Sequence, residues 1–258
     1  MKTDLKIGVT QTVVVATFNS EKTLGATLDS LLFQTYKNFE IIIIDGLSKD
    51  ATINIIKFYE HKFLKADISY TWFSEQDSGI YDAWNKALKK ANSPWIAFLG
   101  SDDTYYPFAI ETYANKIAEN PNINYISSKV EVTNAKNMVL KIIGQPFNYN
   151  QMSRYMNIGH VGSFHHIDLF NKFGNFDTAY KIAGDYEFFL RCGHYINAIF
   201  VNKITVSMLN IGVSNKYIGK VFKENLQLHL KYKRLSALQS YLEFYLAHFK
   251  RFKRHVFK

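Results

Sequence analysis

The sequence predicts an α/β fold: a mostly parallel sheet flanked by helices on both faces. Three observations predict it. Short β-branched runs alternate with helix-period segments through the first half of the chain. The helical segments between them run to 10–16 residues, the length of the crossovers in βαβ units. The chain has 258 residues and is 47% hydrophobic, enough to bury a core as one large domain or as one domain with an appendage.

The elements follow in order. "TVVVATF" (12–18) reads as a buried strand, and Asn19-Ser20 can cap a helix to about Thr35 that carries Leu24, Leu28, Leu31 and Leu32 at helical spacing. "FEIIIID" (39–45) is the second strand; after the turn "GLSKD", Asp50 can cap a helix to about Ala66. "ISYTWFS" (68–74) is the third strand, followed by a helix over about Gly79–Ala91. "PWIAFLG" (94–100) is the fourth, and Pro107 opens a helix to about Glu119. Past residue 122 the pattern changes. A β-hairpin is expected across Asn134–Asn137, and short segments carry His160, His165 and His166. Asp185 opens a further helix, "NAIFVNKITVSML" suggests a strand pair, and 216–257 reads as one or two helices.

Ligands of such sheets bind beyond the carboxyl ends of the strands. The polar residues there are Thr17 and Asn19, Asp45, Glu75 and Asp77, and Asp102 with Asp103. No G-x-G-x-x-G and no G-x-x-x-x-G-K-[ST] follows a strand, so dinucleotide and P-loop chemistry lose their main support. An acidic rim cannot hold a phosphate directly. It can hold Mg²⁺ or Mn²⁺, which in turn binds phosphate oxygens and stabilises a departing diphosphate. Asp102 and Asp103 are the candidate seat of that metal.

The residues that carry this chemistry also form an ordered set of motifs. "VVVATFNSEKTLGATLDSLLFQTYKNFEIIIIDGLSKDAT", "SEQDSGIYDAWNKAL", "FLGSDDTYYP", "GHVGSFHHIDLF", "KIAGDYEFFLR" and "MLNIGVSNK" occur in that order across roughly residues 10–216. Together they resemble the family 2, GT-A-fold glycosyltransferases, in particular bacterial members that build surface polysaccharides. The resemblance implies a GT-A domain over 1–215. Its nucleotide-sugar-binding half is about 10–121, its acceptor and catalytic-base half about 122–215, and a basic tail fills 216–258.

It also implies roles. Asp185 matches the catalytic base that takes the acceptor hydroxyl's proton in an inverting transfer. Asp45 matches the carboxylate that accepts a hydrogen bond from the nucleotide base, favouring a UDP-sugar. Thr17 and Asn19 match the first-strand nucleotide contact, and Asp77 and Lys86 fall on the donor side. Asp102 matches the metal-side carboxylate with Asp103 beside it, and His160 is an acceptor-side candidate. Gly100 stands where the pattern often has a further carboxylate, Leu47 and Ala51 where glycine is common, and Ile211 in place of the first glycine of the closing pair. The acceptor implied is a glycan or lipid-linked sugar. The reading from a different class is a non-catalytic nucleotide-sugar-binding or membrane scaffold protein on the same fold, kept open by Gly100.

Bland readings stand beside several of these residues. Asp50 and Asp82 suit helix starts, Glu75 a surface, His160, His165 and His166 packing, and Cys192 a core position. A single cysteine excludes an internal disulfide framework, and neither a signal-peptide core nor the run of about 18 apolar residues that spans a bilayer is evident. The expectation is a cytoplasmic protein.

The charge is concentrated. The segment 216–258 holds eleven Lys/Arg against Glu224 and Glu243, which accounts for the whole net charge of +9 and leaves the first 215 residues neutral. Leu235, Leu238, Leu242, Tyr245, Phe249, Phe252 and Val256 recur at three- or four-residue steps, an amphipathic stripe. It packs on the domain, forms a homodimer with a second subunit, or lies in an anionic membrane surface with Lys250, Arg251, Lys253, Arg254 and Lys258 toward the lipid headgroups, which would make the protein peripheral at the inner face of the cell membrane. Nucleic acid is not an expected partner, because no recognition motif accompanies the basic block.

Overall fold

A computed structural model describes residues 11–152, 156–210, 212, 217–233 and 235–256, with backbone only from 250 onward. Ile211, Lys216 and Lys258 lie outside the described residues. Four parallel strands make the front of the sheet: β1 (Gln11–Thr17), β2 (Glu40–Asp45), β3 (Ser69–Ser74) and β4 (Trp95–Gly100), in the order β3-β2-β1-β4. Crossover helices α1 (Leu24–Leu32), α2 (Thr52–Lys65) and α3 (Ile80–Leu88) connect them, and α4 (Ala109–Glu119) follows. β1 and β2 are buried nearly throughout, so their unbroken β-branched runs satisfy both faces. Val13, Val15, Ile41 and Ile43 pack with α1, α2 and α4, whereas Val14, Ile42, Ile44 and Phe98 pack with α3 and the later helices.

The second half extends the same sheet. β6 (Tyr125–Thr133) and β7 (Val139–Ile143) form the expected hairpin, its turn held by the Asn134 side-chain oxygen, which accepts from the Lys136 and Met138 amides at 2.9 and 3.0 Å. A helical turn, α5 (Tyr149–Met152), precedes β8 (Ser163–His166), which sits antiparallel between β4 and β6. Then come α6 (Ile167–Phe173), α7 (Gly184–Cys192) and β9 (Ala198–Leu209).

Some expectations are corrected. The strand pair over 198–208 is one strand, β9, parallel to β6; two register shifts near its polar Asn202-Lys203 step account for the interrupted pattern. A two-residue strand, β5 (Thr104–Tyr105), pairs antiparallel with β9 and was not foreseen. Asn19 and Ser20 do not cap α1. Asn19 is in the left-handed region (φ 49°), the Ser20 carbonyl closes a turn onto Thr23 and Leu24, and the helix begins at Leu24. Asp185 lies in the first turn of α7 rather than at its cap, which is Ala183. Asp50 is not the cap of α2 either, which is Ala51, but its Oδ1 accepts from the Thr52 amide at the helix start at 3.0 Å.

The tail is two helices, α8 (Ile218–Tyr232) and α9 (Ala237–Val256), broken where Lys233 turns left-handed (φ 50°). α8 belongs to the core, with Leu228 fully buried among the α3 and α7 side chains. α9 packs on α8 through Ser240, Phe244 and His248, the last edge-on to Phe222. Its stripe of Leu238, Tyr241, Leu242, Tyr245, Leu246 and Phe249 faces outward, so packing of this stripe on the domain is not what the fold shows.

Candidate active site

Strand register builds the site. Thr17, Asp45 and Ser74 are Cα partners across β1, β2 and β3, and Gly100 pairs with Ala16 one step earlier. Four carboxyl ends therefore finish at one level, as the sequence suggests. Thr17 is buried, and its hydroxyl has no hydrogen-bond partner among the described residues. Asp45 is fully buried and accepts from the Ser48 amide at 3.0 Å, the Ser48 hydroxyl and the Ser74 hydroxyl at 2.7 Å. In this arrangement Asp45 holds the loop after β2. Leu47 makes that turn in the left-handed region (φ 61°), where glycine is more usual.

The loops after β1 and β2 are tied to each other. Asn19 Oδ1 accepts from the Lys49 amide at 2.9 Å, and the Asn19 amide donates to Ser48 Oγ at 2.8 Å. The Ser20 amide donates to Thr52 Oγ1 at 2.8 Å, and the Glu21 amide and carboxylate bond Asp50 Oδ2 and the Ala51 amide. Asn19 thus serves this clamp rather than presenting a free amide. Asp77 accepts from the Gly79 amide at 2.9 Å, and its other oxygen lies only 2.6 Å from where a Cβ on Gly46 would stand. The Lys86 ammonium donates to the Gln76 carbonyl and sits 3.8 Å from Asp82, so it braces the loop that carries Asp77. Asp82 itself accepts from the Ser78 amide at 2.9 Å, a helix-start role, and Glu75 is exposed.

Asp102 and Asp103 fold back over the end of β4. A Cβ on Gly100 would stand 2.6 Å from Asp103 Oδ2 and 2.9 Å from Asp102 Oδ1, so the two carboxylates fill the space a side chain at 100 would take. Asp103 is buried, its Oδ1 accepting from the Leu209 amide of β9 at 3.1 Å. Burial pushes both carboxyls above their ordinary range, Asp103 further because Asp102 lies beside it. No third His, Cys, Asp or Glu completes a metal-ligating cluster among the described residues. Two hard oxygen donors converging at a strand end still fit Mg²⁺ or Mn²⁺, which usually take one or two carboxylates and fill the rest from substrate phosphates and water.

Asp185 lies in the first turn of α7. Its Oδ1 accepts from the Tyr81 hydroxyl at 3.1 Å and the Tyr186 amide at 2.8 Å. Burial pushes its pKa up to about 6, against the pull of those two hydrogen bonds, and the nearby Glu224 charge adds to the rise. Tyr81 also donates to the Ile182 carbonyl at 2.7 Å, so α3 is bolted to the segment that leads into α7. Gly184 permits this approach: a Cβ there would lie 2.7–2.9 Å from three ring carbons of Tyr81.

His160 is not on the rim. It is 7% exposed, its ring stacked on Trp84 and Phe98 with centroids 5.2 and 5.8 Å away, and burial holds its pKa down to about 3. His165 is buried beside it, and His166 Nδ1 accepts from the Asp168 amide at the start of α6. Cys192 is a buried core thiol pushed up to about 12 by burial.

Residues 12–172 match the family described as Glycosyl transferase family 2. The chain belongs to this family. A PGL/p-HBAD biosynthesis glycosyltransferase of Mycobacterium bovis is 28% identical over 226 residues, covering 84% of this chain and 83% of the relative. The Escherichia coli UDP-Glc:alpha-D-GlcNAc-diphosphoundecaprenol beta-1,3-glucosyltransferase WfgD is 30% identical over 149 residues, 57% of this chain and 56% of that one. Among solved structures, S. aureus TarS 1-349 in complex with UDP-GlcNAc superposes with a TM-score of 0.67 at 19% identity, over 91% of this chain and 70% of that one. Mannosyltransferase PcManGT from Pyrobaculum calidifontis, in complex with GDP-Man and Mn2+, does so with a TM-score of 0.67 at 17% identity, over 92% and 70%. The likeness to these structures shows the fold, which is GT-A.

For this family 2 glycosyltransferase, sequence reasoning missed three residues that build the site. Tyr81 was visible only as a letter inside "GIYDAW". Lys181 donates to the Ser78 and Thr178 carbonyls at 2.8 and 2.9 Å and so joins the loop after β3 to the approach to Asp185. Glu224, in the tail, receives three amides of that same approach. Their partners across the site lie 41 to 104 residues away in sequence, beyond any local pattern.

Proposed function

We propose that this glycosyltransferase moves a sugar, with inversion, from a UDP-sugar to a hydroxyl of a lipid-linked or polysaccharide acceptor. The observation that carries the reading is the presence of two convergent carboxylates at the end of β4 together with a separate carboxyl, Asp185, held by Tyr81. The names of WfgD and of the TarS complex support a UDP-sugar donor, and WfgD's name supports a lipid-linked acceptor.

Asp102 and Asp103 would hold Mg²⁺ or Mn²⁺. A bound divalent cation there supplies charge neutralisation for a diphosphate as it departs. Thr17, with its unpartnered buried hydroxyl, contacts the nucleotide at the end of β1, and the clamped loops around Asn19 and Asp45 form the base end of the donor seat. Asp77, braced by Lys86, closes the donor side. Asp185, with a pKa near 6, is ionised at neutral pH and accepts the acceptor's proton as its oxygen bonds to the anomeric carbon. The bond from that carbon to the diphosphate breaks with its electron pair going to UDP.

The acceptor fixes the setting. A lipid-linked sugar is presented at a membrane, and the outward stripe of α9 followed by Lys250, Arg251, Lys253 and Arg254 suits the inner, anionic face. The enzyme is thus cytoplasmic and peripheral. No helix among the described residues is long and apolar enough to cross a membrane.

The test is UDP release from UDP-glucose and UDP-GlcNAc in the presence of α-GlcNAc-diphosphoundecaprenol, with and without Mn²⁺. Asp185→Asn should lower turnover by about 100-fold or more while UDP still raises the melting midpoint, as expected for loss of a general base with binding intact. Full turnover in Asp185→Asn sinks the base assignment. Turnover in Asp102→Ala that equals wild type and ignores chelator sinks the metal assignment. Tight UDP binding without turnover of either donor favours the scaffold reading.

A further inference from the structure

The tail reaches into the catalytic half through one side chain. Glu224, on the first half of α8, accepts the amides of three successive residues: Lys181 on Oε1 at 3.0 Å, and Ile182 and Ala183 on Oε2 at 3.0 and 2.8 Å. These are the residues that lead into α7, and Asp185 follows two positions later. The carboxylate therefore ties down the segment just before α7 from another helix, near the end of α7 where the positive pole of the helix dipole favours an anion.

The attachment has a second point. Glu187, one turn farther along α7, is 1% exposed and binds Tyr232 and Lys231 of α8, the latter at 3.3 Å, as well as Arg191 at 2.9 Å. Positions 224, 228 and 231 fall on one face of α8, with Leu228 buried between the two polar contacts. α8 thus grips α7 and its lead-in on either side of Asp185.

We propose that Glu224 is a positioning residue for glycosyl transfer: it fixes the 181–183 backbone, and through it the place and charge environment of the Asp185 carboxylate. The proposal rests on Asp185 being the base. A merely structural cap needs only acceptor oxygens. Glu224 also sets its negative charge against Asp185, and that contribution can be separated from shape. The groups around Asp185 are Tyr81 from α3, Tyr125 from β6, Glu224 from α8, and Lys181 and Glu187 from its own segment. Lys181 directs its ammonium at two carbonyls, and Glu187 is neutralised by Lys231 and Arg191, so among the described residues Glu224 is the charge of this group with no ion pair.

The experiment uses the full chain, the donor that sustains turnover, and pH profiles of kcat and kcat/KM for wild type, Glu224→Ala, Glu224→Gln and Asp185→Asn. Glu224→Ala should lower kcat by about tenfold or more with the donor KM within about twofold, because misplacing a catalytic group costs rate rather than donor affinity. Glu224→Gln keeps one acceptor oxygen, enough for the Ile182 and Ala183 amides, and turns its NH2 toward the Lys181 amide, so it should recover part of kcat while its acid limb moves to lower pH, the direction expected when a neighbouring negative charge is removed. Wild-type kcat in Glu224→Ala, or an acid limb in Glu224→Gln that does not move, overturns the proposal. Should Glu224→Ala fail to fold, the Glu224→Gln limb alone decides. Failure of the base reading is a separate result, seen as full turnover in Asp185→Asn whatever the Glu224 variants do.

Discussion

Gly100 reads in sequence as a missing carboxylate, and the fold gives it a different meaning. The Asp102 and Asp103 carboxylates occupy the volume a Cβ would need, at 2.9 and 2.6 Å. A side chain at 100 would push them off the strand end. Gly100→Ala should therefore shrink the melting-point rise that UDP with Mn²⁺ produces and cut turnover by about tenfold or more, the scale of a small misplacement in a site. Gly100→Asp, which restores the family's common carboxylate, should do worse rather than better. Gain of turnover in Gly100→Asp would show that the space over β4 is not set by these two carboxylates. Asp185 argues the other residue-scale prediction. Its pKa is raised from 3.8 to about 6 by burial. Activity that needs the ionised form should be full above pH 7 and fall as pH drops through about 6. Stability runs the opposite way. Between about pH 4 and 6 the folded chain holds more protons at this site than the unfolded one, so this site's contribution to stability is lost as pH rises through that window. Asp185→Asn should thus be inactive yet more stable at pH 7, by about 1–3 kcal/mol, measured by denaturant melts. A variant no more stable than wild type at pH 7, and equal to it at pH 4, would remove the claim that loss of solvent raises the pKa of the half-buried Asp185. The rim carboxylates were legible in sequence because Asp45, Asp77, Asp102 and Asp103 lie at or within a few residues of the end of an apolar strand run, whereas Asp185 was legible only through the motif it shares with the family. Tyr81 and Glu224 were not, since nothing near either one in sequence marks the partner it reaches.

At the scale of elements, legibility follows burial. β1, β2 and β4 are buried on both faces, so their apolar runs have no competing reading, and their ends fall within one residue of where the sequence put them. Helix starts were less legible because the residues that look like caps are used elsewhere. Asn19 spends its side chain on the loop after β2, and α1 begins five residues later at Leu24. β5 has only two residues and exists by pairing with β9, a partner a hundred residues away. The single strand β9 looked like two because Asn202 and Lys203 interrupt its apolar pattern at the bulge opposite Lys129. His160 shows the same limit in the site. Its motif position suggested the acceptor side, but the ring is enclosed by Trp84 and Phe98, and a buried imidazole with no charge partner stays neutral. The tail was legible as an amphipathic helix, but not which face turns inward: Ser240, Phe244 and His248 meet α8, leaving the aromatic and leucine stripe outside.

The whole molecule is electrically divided: a neutral 215 residues and a tail that carries the entire +9. Its hydrophobic division falls at a different place. α8 is part of the core through Leu228, Glu224 and Glu187's partners, whereas α9 exposes Leu238, Tyr241, Leu242, Tyr245, Leu246 and Phe249. Within the tail, the break between the core-packed helix and the helix that exposes the stripe lies at the left-handed Lys233. Two truncations separate these statements. Removing 234–258 leaves α8 and its grip on α7 in place, so the protein should fold and release UDP with a soluble acceptor at a rate within about twofold of the full chain. It should lose binding to vesicles of phosphatidylglycerol, because each basic residue near an anionic surface contributes about 1 kcal/mol and the apolar stripe supplies the rest. That binding in the full chain should weaken steeply with salt. Removing 217–258 uncovers the Leu228 contact and the 181–183 amides, and should lower the melting midpoint and turnover together. A full chain that ignores anionic vesicles but sediments as a dimer, becoming a monomer on removal of 234–258, would assign the stripe to a second subunit instead. In that case the charge would be a solvated rim around a protein interface, and salt would leave the dimer nearly unchanged, since burial of leucine and aromatic area is insensitive to screening.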